Sequence, residues 1–313
     1  MTAFQGRIGI IGSGALGAFY GARLARAGHD VHFLMRSDYE AVRDNGLFVK
    51  SFEGDFHLKA NVYNSPEALG VCDLLIIGLK TTANGALPQL LAPTANADTL
   101  VLTLENGLGN EDAVAAALSH TGKGASARVL GGIAFLCSNR TAPGHIHHMD
   151  HGWIRMGEFD APVTDRTRAI AELFVSSGIR CEVYDNLMQA RWEKLVWNIA
   201  FNGLGVAAQA DVGRVLATPE LHSLAHDLMQ EVVIAAAATG APIDPAMPAK
   251  MLKNSESMGP YHSSMQVDFE SGRPLEVESI IGEPTRRAKA AGASVPRMEM
   301  LYALVKALDQ RTQ

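Results

Sequence analysis

Short runs of almost purely apolar residues in the first half of the chain limit its fold more than any other feature. They cover residues 8–11, 31–34, 73–79, 99–104 and 128–135, and helical patterns such as residues 15–27 separate them. A strand that is apolar at consecutive positions is buried on both faces, which is typical of a parallel sheet with helices on each side. The first half is therefore predicted to be an α/β domain.

The pattern changes after residue 140. Pro143-Gly144 opens a stretch of alternating residues, which predicts a hairpin at the edge of the sheet. A helix over residues 167–177 and a strand over residues 179–183 are predicted to follow.

From residue 186 onward only helical patterns remain, over residues 187–208, 219–239, 246–257, 274–291 and 296–309. Pro219 and Pro296 stand where a first helical turn tolerates proline, whereas Pro284 should kink or split its helix. A length of 313 residues suits two domains. We expect residues 1–184 to form the α/β domain and residues 185–313 an all-α C-terminal domain.

Composition excludes several functional classes. The net charge of −6 and the lack of a basic run argue against nucleic-acid binding. Three widely spaced cysteines form neither a disulfide framework nor a metal motif, which fits a reducing compartment. There is no pattern of a signal peptide, and the apolar runs are too short to cross a membrane. We therefore expect a cytoplasmic protein without a membrane partner.

The sequence Gly12-Ser13-Gly14-Ala15-Leu16-Gly17 has the spacing G-x-G-x-x-G and lies between a predicted strand and a predicted helix. In a Rossmann-type domain, such glycines allow a tight turn, approach of a pyrophosphate to the backbone, and close packing of helix on strand. The helix N-terminus then faces the phosphates. The motif predicts a dinucleotide site; the alternative is a glycine-rich turn that binds nothing.

The end of the second strand distinguishes the two nicotinamide cofactors. An acidic residue there would bind the ribose hydroxyls of NAD, but this chain has Arg36 followed by Ser37. Arg36 can pair with a 2′-phosphate, so NADPH is the predicted cofactor. A solvated surface charge at Arg36, and NADH bound through the nearby Asp38, remain alternatives.

A second constellation lies in the helix predicted near residue 200. Lys194, Asn198 and Asn202 are spaced four residues apart, so they share one face of a helix that is otherwise mostly apolar. Lysine changes its pKa readily when it is desolvated and can serve as a proton donor. The pattern predicts half of an active site, the alternatives being a surface lysine and two packing amides.

Taken in order along the chain, these and other motifs resemble the ketopantoate reductase (2-dehydropantoate 2-reductase) family. The further motifs are Leu79-Lys80-Thr81, Glu105-Asn106-Gly107-Leu108-Gly109, Trp192-Glu193-Lys194-Leu195, Ser263-Ser264-Met265-Gln266 and Gly272-Arg273-Pro274-Leu275-Glu276. The resemblance implies a Rossmann-type N-terminal domain that binds NADP. It also implies a C-terminal domain like that of 6-phosphogluconate dehydrogenase, which carries the substrate and catalytic residues.

The resemblance also implies residue roles. Lys194 and Glu276 would be catalytic, and Asn198, Asn202 and Ser264 would bind the substrate. The cofactor would be held by Gly12, Ser13, Gly14, Ala15, Leu16, Gly17, Arg36, Lys80, Asn106, Ala134 and Glu276. For Glu276 a first-turn helix acid, and for Ser264 a helix cap, are the alternatives.

The implied activity is the NADPH-dependent reduction of 2-dehydropantoate to (R)-pantoate in pantothenate and coenzyme A biosynthesis, with a hydride from NADPH and a proton from Lys194. Tyr261, residues 210–213 and residues 277–282, which include Glu278, depart from the usual family pattern, so another 2-oxo or 2-hydroxy acid is an alternative substrate. A non-catalytic NADP(H)-sensing protein is a third hypothesis, and a homodimer an alternative to a monomer. No metal is expected, because the histidines between His145 and His151 lack a ligand spacing.

Overall fold

Residues 4–119 and 125–312 are described by the computed structural model of the protein. The chain divides into two units, which we call the sheet unit (residues 1–105 and 110–187) and the helical unit (residues 106–109 and 188–313). The four residues 106–109 leave the sheet unit, join the helical unit and return, a detour that the sequence pattern does not indicate.

A ten-stranded sheet forms the centre of the sheet unit, counted over the described residues. Its spatial order is β4-β3-β9-β8-β7-β6-β1-β2-β5, and β10 pairs with β9. The strands are β1 (Ile8–Ile11), β2 (Val31–Leu34), β3 (Leu47–Ser51), β4 (Phe56–Leu58), β5 (Asn61–Tyr63), β6 (Leu74–Ile77), β7 (Leu100–Thr103), β8 (Val129–Ala142), β9 (His145–Glu158) and β10 (Cys181–Val183).

The strands at the centre of the sheet run parallel and are buried on both faces. Every residue of β1 and β6 is buried. Ile8 and Ile10 pack into one hydrophobic cluster, whereas Ile11 and Leu75 pack into another. Two cores on opposite faces are what consecutive apolar residues require, so the predicted Rossmann-type α/β fold is confirmed.

Helices cover this sheet: α1 (Ala15–Arg26), α2 (Tyr39–Asn45), α3 (Pro66–Leu69), α4 (Leu87–Leu91), α5 (Asn110–Leu118) and α6 (Asp165–Ser176). Thr164 caps α6 and forms a reciprocal capping box with Thr167. The buried carboxylate of Glu158 accepts hydrogen bonds from both threonine hydroxyls and from Arg166. Burial alone would raise the pKa of Glu158, but these donors hold it below its ordinary value.

One prediction about the sheet was wrong. The β8–β9 hairpin turns at Pro143-Gly144 as expected but lies inside the sheet, because β3 and β10 both pair with β9. Three further strands, β3, β4 and β5, were not predicted from the sequence. These strands contain exposed and half-buried positions, so they lack the continuous apolar signal of the central strands.

The helical unit contains α7 (Leu187–Ala207), α8 (Val212–Ala217), α9 (Pro219–Ala238), α10 (Met247–Ser255), α11 (Ser264–Glu270), α12 (Glu283–Ala290) and α13 (Pro296–Thr312). Its all-helical character is confirmed. The prediction missed α8 and α11, which have six and seven residues and are too short for a clear period. None of the described helices is long and apolar enough to cross a membrane.

The helix predicted over residues 274–291 begins at Val277 and continues without a break to Ala290, so the predicted kink or split at Pro284 is replaced by a change from π-helix to α-helix. A π-helical segment, Glu278–Gly282, precedes α12. Because Pro284 has no N–H, it cannot bond the carbonyl of Ser279 five residues earlier. That carbonyl accepts the N–H of Leu108 at 2.9 Å instead. The Thr285 hydroxyl donates to the carbonyl of Ile281 at 2.7 Å.

Candidate active site

The glycine-rich loop joins β1 to α1 in the sheet unit. Gly12 has φ +90°, and a Cβ there would overlap the backbone at Gly78 and Leu79. A Cβ at Gly17 would overlap the carbonyl of Gly12, which is the close packing that the third glycine of the motif permits. The Ser13 hydroxyl donates to the carbonyl of Leu34 at 3.0 Å and so ties the loop to the end of β2.

Gly14 differs from its neighbours because it faces open space. It is exposed, and an added Cβ would meet nothing within 4 Å. No side chain caps α1, whose N-cap is Gly14. The first-turn N–H groups of this twelve-residue helix therefore point to a surface without a side-chain acceptor. This arrangement fits a pyrophosphate group.

Beyond β2, Arg36 and Ser37 are exposed while Asp38 is buried. The Asp38 carboxylate accepts the hydroxyl of Ser37 at 2.8 Å and the N–H of Gly144 at 3.1 Å, and it forms an ion pair with Arg140. Those three bonds occupy the carboxylate that sequence analysis considered as an alternative ligand for a ribose. Arg140 was missed because it lies 102 residues away from Asp38 in the chain.

Two further residues of the predicted cofactor set belong to the sheet unit. Lys80 is exposed and follows β6, immediately before a short 3₁₀ helix, Thr81–Ala86. Ala134 is buried in β8, opposite Ile154 of β9. Its neighbour Phe135 stacks on Trp153 with ring centroids 3.8 Å apart, which fixes this part of the hairpin.

Lys194, Asn198 and Asn202, which we call the catalytic stripe, lie along α7 in the helical unit. Lys194 is half-buried, whereas Asn198 and Asn202 are buried. The Asn202 side-chain oxygen accepts the N–H of Met265 at 3.2 Å. That bond connects α7 to the start of α11, and it leaves the amide NH₂ of Asn202 as its donor group.

Ser264 begins α11, next to the residue that Asn202 holds. It is exposed and is not the helix cap, because the preceding Ser263 performs that role by accepting the N–H of Gln266. A Cβ at Gly205 of α7 would come within 3.1 Å of the Gln266 side-chain oxygen, so the two helices approach closely here. The structure thus brings Ser264 to the α7 face that carries Asn202.

Glu276 and Asn106 also belong to the helical unit. Glu276 is buried, directly before the helical residue Val277, and the N–H of Leu275 is held by the Asp309 carboxylate at 2.8 Å. Gly107 has φ +90°, and a Cβ there would overlap the carbonyl of Ser279. The loop that carries Asn106 is therefore packed on the segment that follows Glu276.

Comparison with known proteins identifies the family of this chain. Domain profiles described as "Ketopantoate reductase PanE/ApbA" and "Ketopantoate reductase PanE/ApbA C terminal" match residues 8–161 and 186–309. The chain belongs to the ketopantoate reductase family. A 2-dehydropantoate 2-reductase of Nostoc sp. is 42% identical over 310 residues, which are 97% of this chain and 95% of the relative.

Comparison with solved structures supports the same fold. A 2-dehydropantoate 2-reductase from Geobacter metallireducens is 44% identical with a TM-score of 0.91, covering 96% of this chain and 99% of its own. A ternary structure of D-mandelate dehydrogenase with NADH and anilino(oxo)acetate shares the fold at 21% identity and a TM-score of 0.85, covering 98% of this chain and 99% of its own. As a ketopantoate reductase family member, the protein is an oxidoreductase that acts on a CH–OH group.

Two residues that depart from the usual ketopantoate reductase pattern have different surroundings. The Glu278 carboxylate accepts bonds from Tyr302 at 2.8 Å, Lys306 at 3.0 Å and Arg286 at 2.9 Å, and these donors hold its pKa low against the opposing effect of burial. Tyr261 instead lies near α7, with its ring centroid 6.3 Å from that of Trp197.

The histidines of β9 have structural surroundings. His148 is buried, its ring contacts those of Phe19 and Phe52, and its Nδ1 lies 2.9 Å from the Ser51 hydroxyl. Burial lowers the pKa of His148. His145 stacks on Phe48, with centroids 4.7 Å apart. Across residues 4–119 and 125–312, no group of three or more His, Cys, Asp or Glu side chains has the geometry of a metal site.

Proposed function

We propose that this protein reduces 2-dehydropantoate to (R)-pantoate with NADPH, a step of pantothenate and coenzyme A biosynthesis. The observation that carries the proposal is the stripe on α7, where a half-buried Lys194 lies in line with two buried amides. Burying a polar side chain costs free energy unless it is hydrogen-bonded, so polar groups in line on an apolar helix favour a site that supplies polar partners. A relative that is 42% identical bears the name of this reductase.

The two units are assigned different tasks. The sheet unit binds NADP through Gly12–Gly17, Arg36, Lys80 and Ala134. The helical unit supplies the catalytic and substrate residues, and Asn106, in its residues 106–109, is a further proposed cofactor residue. The open side of Gly14 at the N-terminus of α1 supports a bound pyrophosphate. When bound, the reduced nicotinamide supplies a hydride to the ketone carbon.

Lys194 performs the acid part of the reaction. Negative charge develops on the ketone oxygen as the carbonyl is reduced, and an ammonium group at that oxygen stabilises the transition state more than the ground state. Lys194 donates its proton to this oxygen and regains one from solvent. Glu276 keeps Lys194 in its charged form, because an adjacent carboxylate favours the ammonium over the neutral amine.

The amides and the serine hold the substrate. The Asn202 oxygen is occupied by the N–H of Met265, so its NH₂ group donates to the substrate. Asn198, one turn earlier on the same face, fixes the hydroxyl-bearing end. The exposed Ser264 hydroxyl donates to the carboxylate. Three directional contacts would fix the orientation of the ketone, so we expect a single product enantiomer.

The test is turnover by the purified protein. NADPH oxidation is followed by absorbance with 2-dehydropantoate, with NADH in place of NADPH, and with a panel of branched and aromatic 2-oxo acids. Chiral chromatography then identifies the product. We expect 2-dehydropantoate with NADPH to give the highest kcat/KM and (R)-pantoate to be the product. Preference for another acid would overturn the substrate, and preference for NADH would overturn the cofactor.

Tyr261 favours one second candidate, the same chemistry on a different 2-oxo acid. Its ring lies near Trp197, which in turn is 5.0 Å from Phe201, so an aromatic group borders the α7 face that carries Asn198. An aromatic wall suits a larger apolar substituent on the acid. Replacing Tyr261 with glutamine should then shift the preference within the panel toward the smaller acids.

A further inference from the structure

A cluster of charged side chains, which includes Asp38 and Arg140, lies at the end of β2, and the fold alone does not account for the position of the arginine. Arg140 of β8 donates through Nη1 to the Ser37 hydroxyl at 3.0 Å and pairs with Asp38. The Arg140 side chain is 45% exposed, whereas that of Asp38 is 7% exposed. The arginine therefore stays at the surface, although its partner carboxylate is buried.

The arrangement fixes the direction of the guanidinium. Asp38 is itself held by the N–H of Gly144 at 3.1 Å and by the Ser37 hydroxyl at 2.8 Å. Both contacts of Arg140 use one nitrogen, and a guanidinium carries five N–H donors in a rigid fork. This nitrogen lies beside Ser37, the residue that follows the exposed Arg36.

We propose that Arg140 is a second specificity residue of the 2′-phosphate subsite, held beside Ser37 by Asp38 so that it and Arg36 bind one phosphate. The inference rests on the proposed NADPH dependence and names a residue that this function alone does not assign. Two arginines suit a phosphate because their planar forks match its oxygens. The pair also leaves this surface positive, since one of the two arginine charges balances Asp38.

The experiment measures nucleotide binding without any oxo acid. Isothermal titration compares adenosine 2′,5′-bisphosphate with 5′-AMP, which lacks the 2′-phosphate. We expect the wild-type protein to prefer the bisphosphate. Arg140→Ala should weaken bisphosphate binding about tenfold or more, the loss of one hydrogen bond to a charged group, while 5′-AMP binding changes less than about twofold. Arg140→Lys should fall between them, because lysine keeps the charge but not the fork.

Two further variants guard against trivial results. Arg140→Ala leaves Asp38 as a buried charge without its arginine, which can unfold a protein. The double variant Asp38→Asn/Arg140→Ala removes that charge and should still lose the preference for the bisphosphate. Arg43→Ala is the matched control, since Arg43 lies on α2 with a 51% exposed side chain that pairs with Asp44. It should bind both nucleotides as the wild type does.

Three outcomes would overturn the inference. They are equal weakening of both nucleotides by Arg140→Ala, no change for either nucleotide, and wild-type preference in the double variant. A wild-type protein that binds the bisphosphate and 5′-AMP equally would overturn the NADPH preference as well. A wild type that prefers the bisphosphate beside an unaffected Arg140→Ala would overturn only the role of Arg140.

Discussion

Replacing Gly107 with alanine should destabilise the helical unit and weaken cofactor binding. Gly107 has φ +90°, and its Cβ position overlaps the carbonyl of Ser279. A non-glycine residue in such a conformation costs about 1–3 kcal/mol. The overlap also breaks the bond from the Leu108 N–H to the Ser279 carbonyl, which contributes about 1 kcal/mol. The expected loss in the free energy of unfolding is therefore about 2–4 kcal/mol.

Urea unfolding followed by tryptophan fluorescence measures this loss. Two of the three tryptophans, Trp192 and Trp197, lie on α7 and report on the helical unit. Nucleotide titration on the same samples should show weaker NADPH binding, because the loop that carries Asn106 is displaced. Gly85→Ala is the control, since Gly85 does not have a positive φ and an added Cβ meets nothing within 4 Å.

The reasoning is refuted if Gly107→Ala unfolds within about 0.5 kcal/mol of the wild type, the range of an inconsequential surface change. Normal NADPH binding in a clearly destabilised variant would separate the two claims. It would leave the strain at Gly107 intact and remove the assignment of Asn106 to the cofactor.

Four further predictions concern the chemistry and the fold. Lys194→Ala should lower kcat at least about 10²-fold and leave the affinity for NADPH unchanged. The control is Lys250→Ala, which should be fully active because Lys250 is exposed and pairs with Asp244. Steady-state kinetics measures kcat, and titration with NADPH measures the affinity. Arg36→Ala should raise the KM for NADPH far more than that for NADH, and equal effects would refute the assignment. Glu158→Gln should destabilise the sheet unit at neutral pH. Because the folded pKa of Glu158 is depressed, its stabilising effect is present above the unfolded value and disappears as the pH falls through the folded one, so urea unfolding of variant and wild type should converge in acid. Light scattering should give about twice the 33.4 kDa monomer mass, since Met300 and Leu304 leave an exposed apolar face on α13; a monomer would contradict this.

The sequence was most informative where a local period determines structure. Consecutive apolar residues marked β1 and β6 because a doubly covered strand has no polar face. Spacing alone put Lys194, Asn198 and Asn202 on one face of α7. Pro284 marked an irregular position, where the helix changes from π-helix to α-helix.

What sequence analysis missed depends on contacts between distant parts of the chain. Arg140 meets Asp38 only because the β8–β9 hairpin folds against the end of β2. Leu108 meets Ser279 across a separation of more than half the chain. The strands β3, β4 and β5 form because they find partners, not because of their own composition.

The detour of residues 106–109 has a consequence for biosynthesis. This segment leaves the ribosome long before residues 188–313, yet Leu108 belongs to the hydrophobic core that those later residues build. The sheet unit can begin to fold during translation. The helical unit cannot be completed until its last helices have been synthesised and have packed against residues 106–109, which were synthesised much earlier. A fragment that starts at residue 188 would lack residues 106–109. The two units are therefore not independent modules that a recombination event with one breakpoint could exchange.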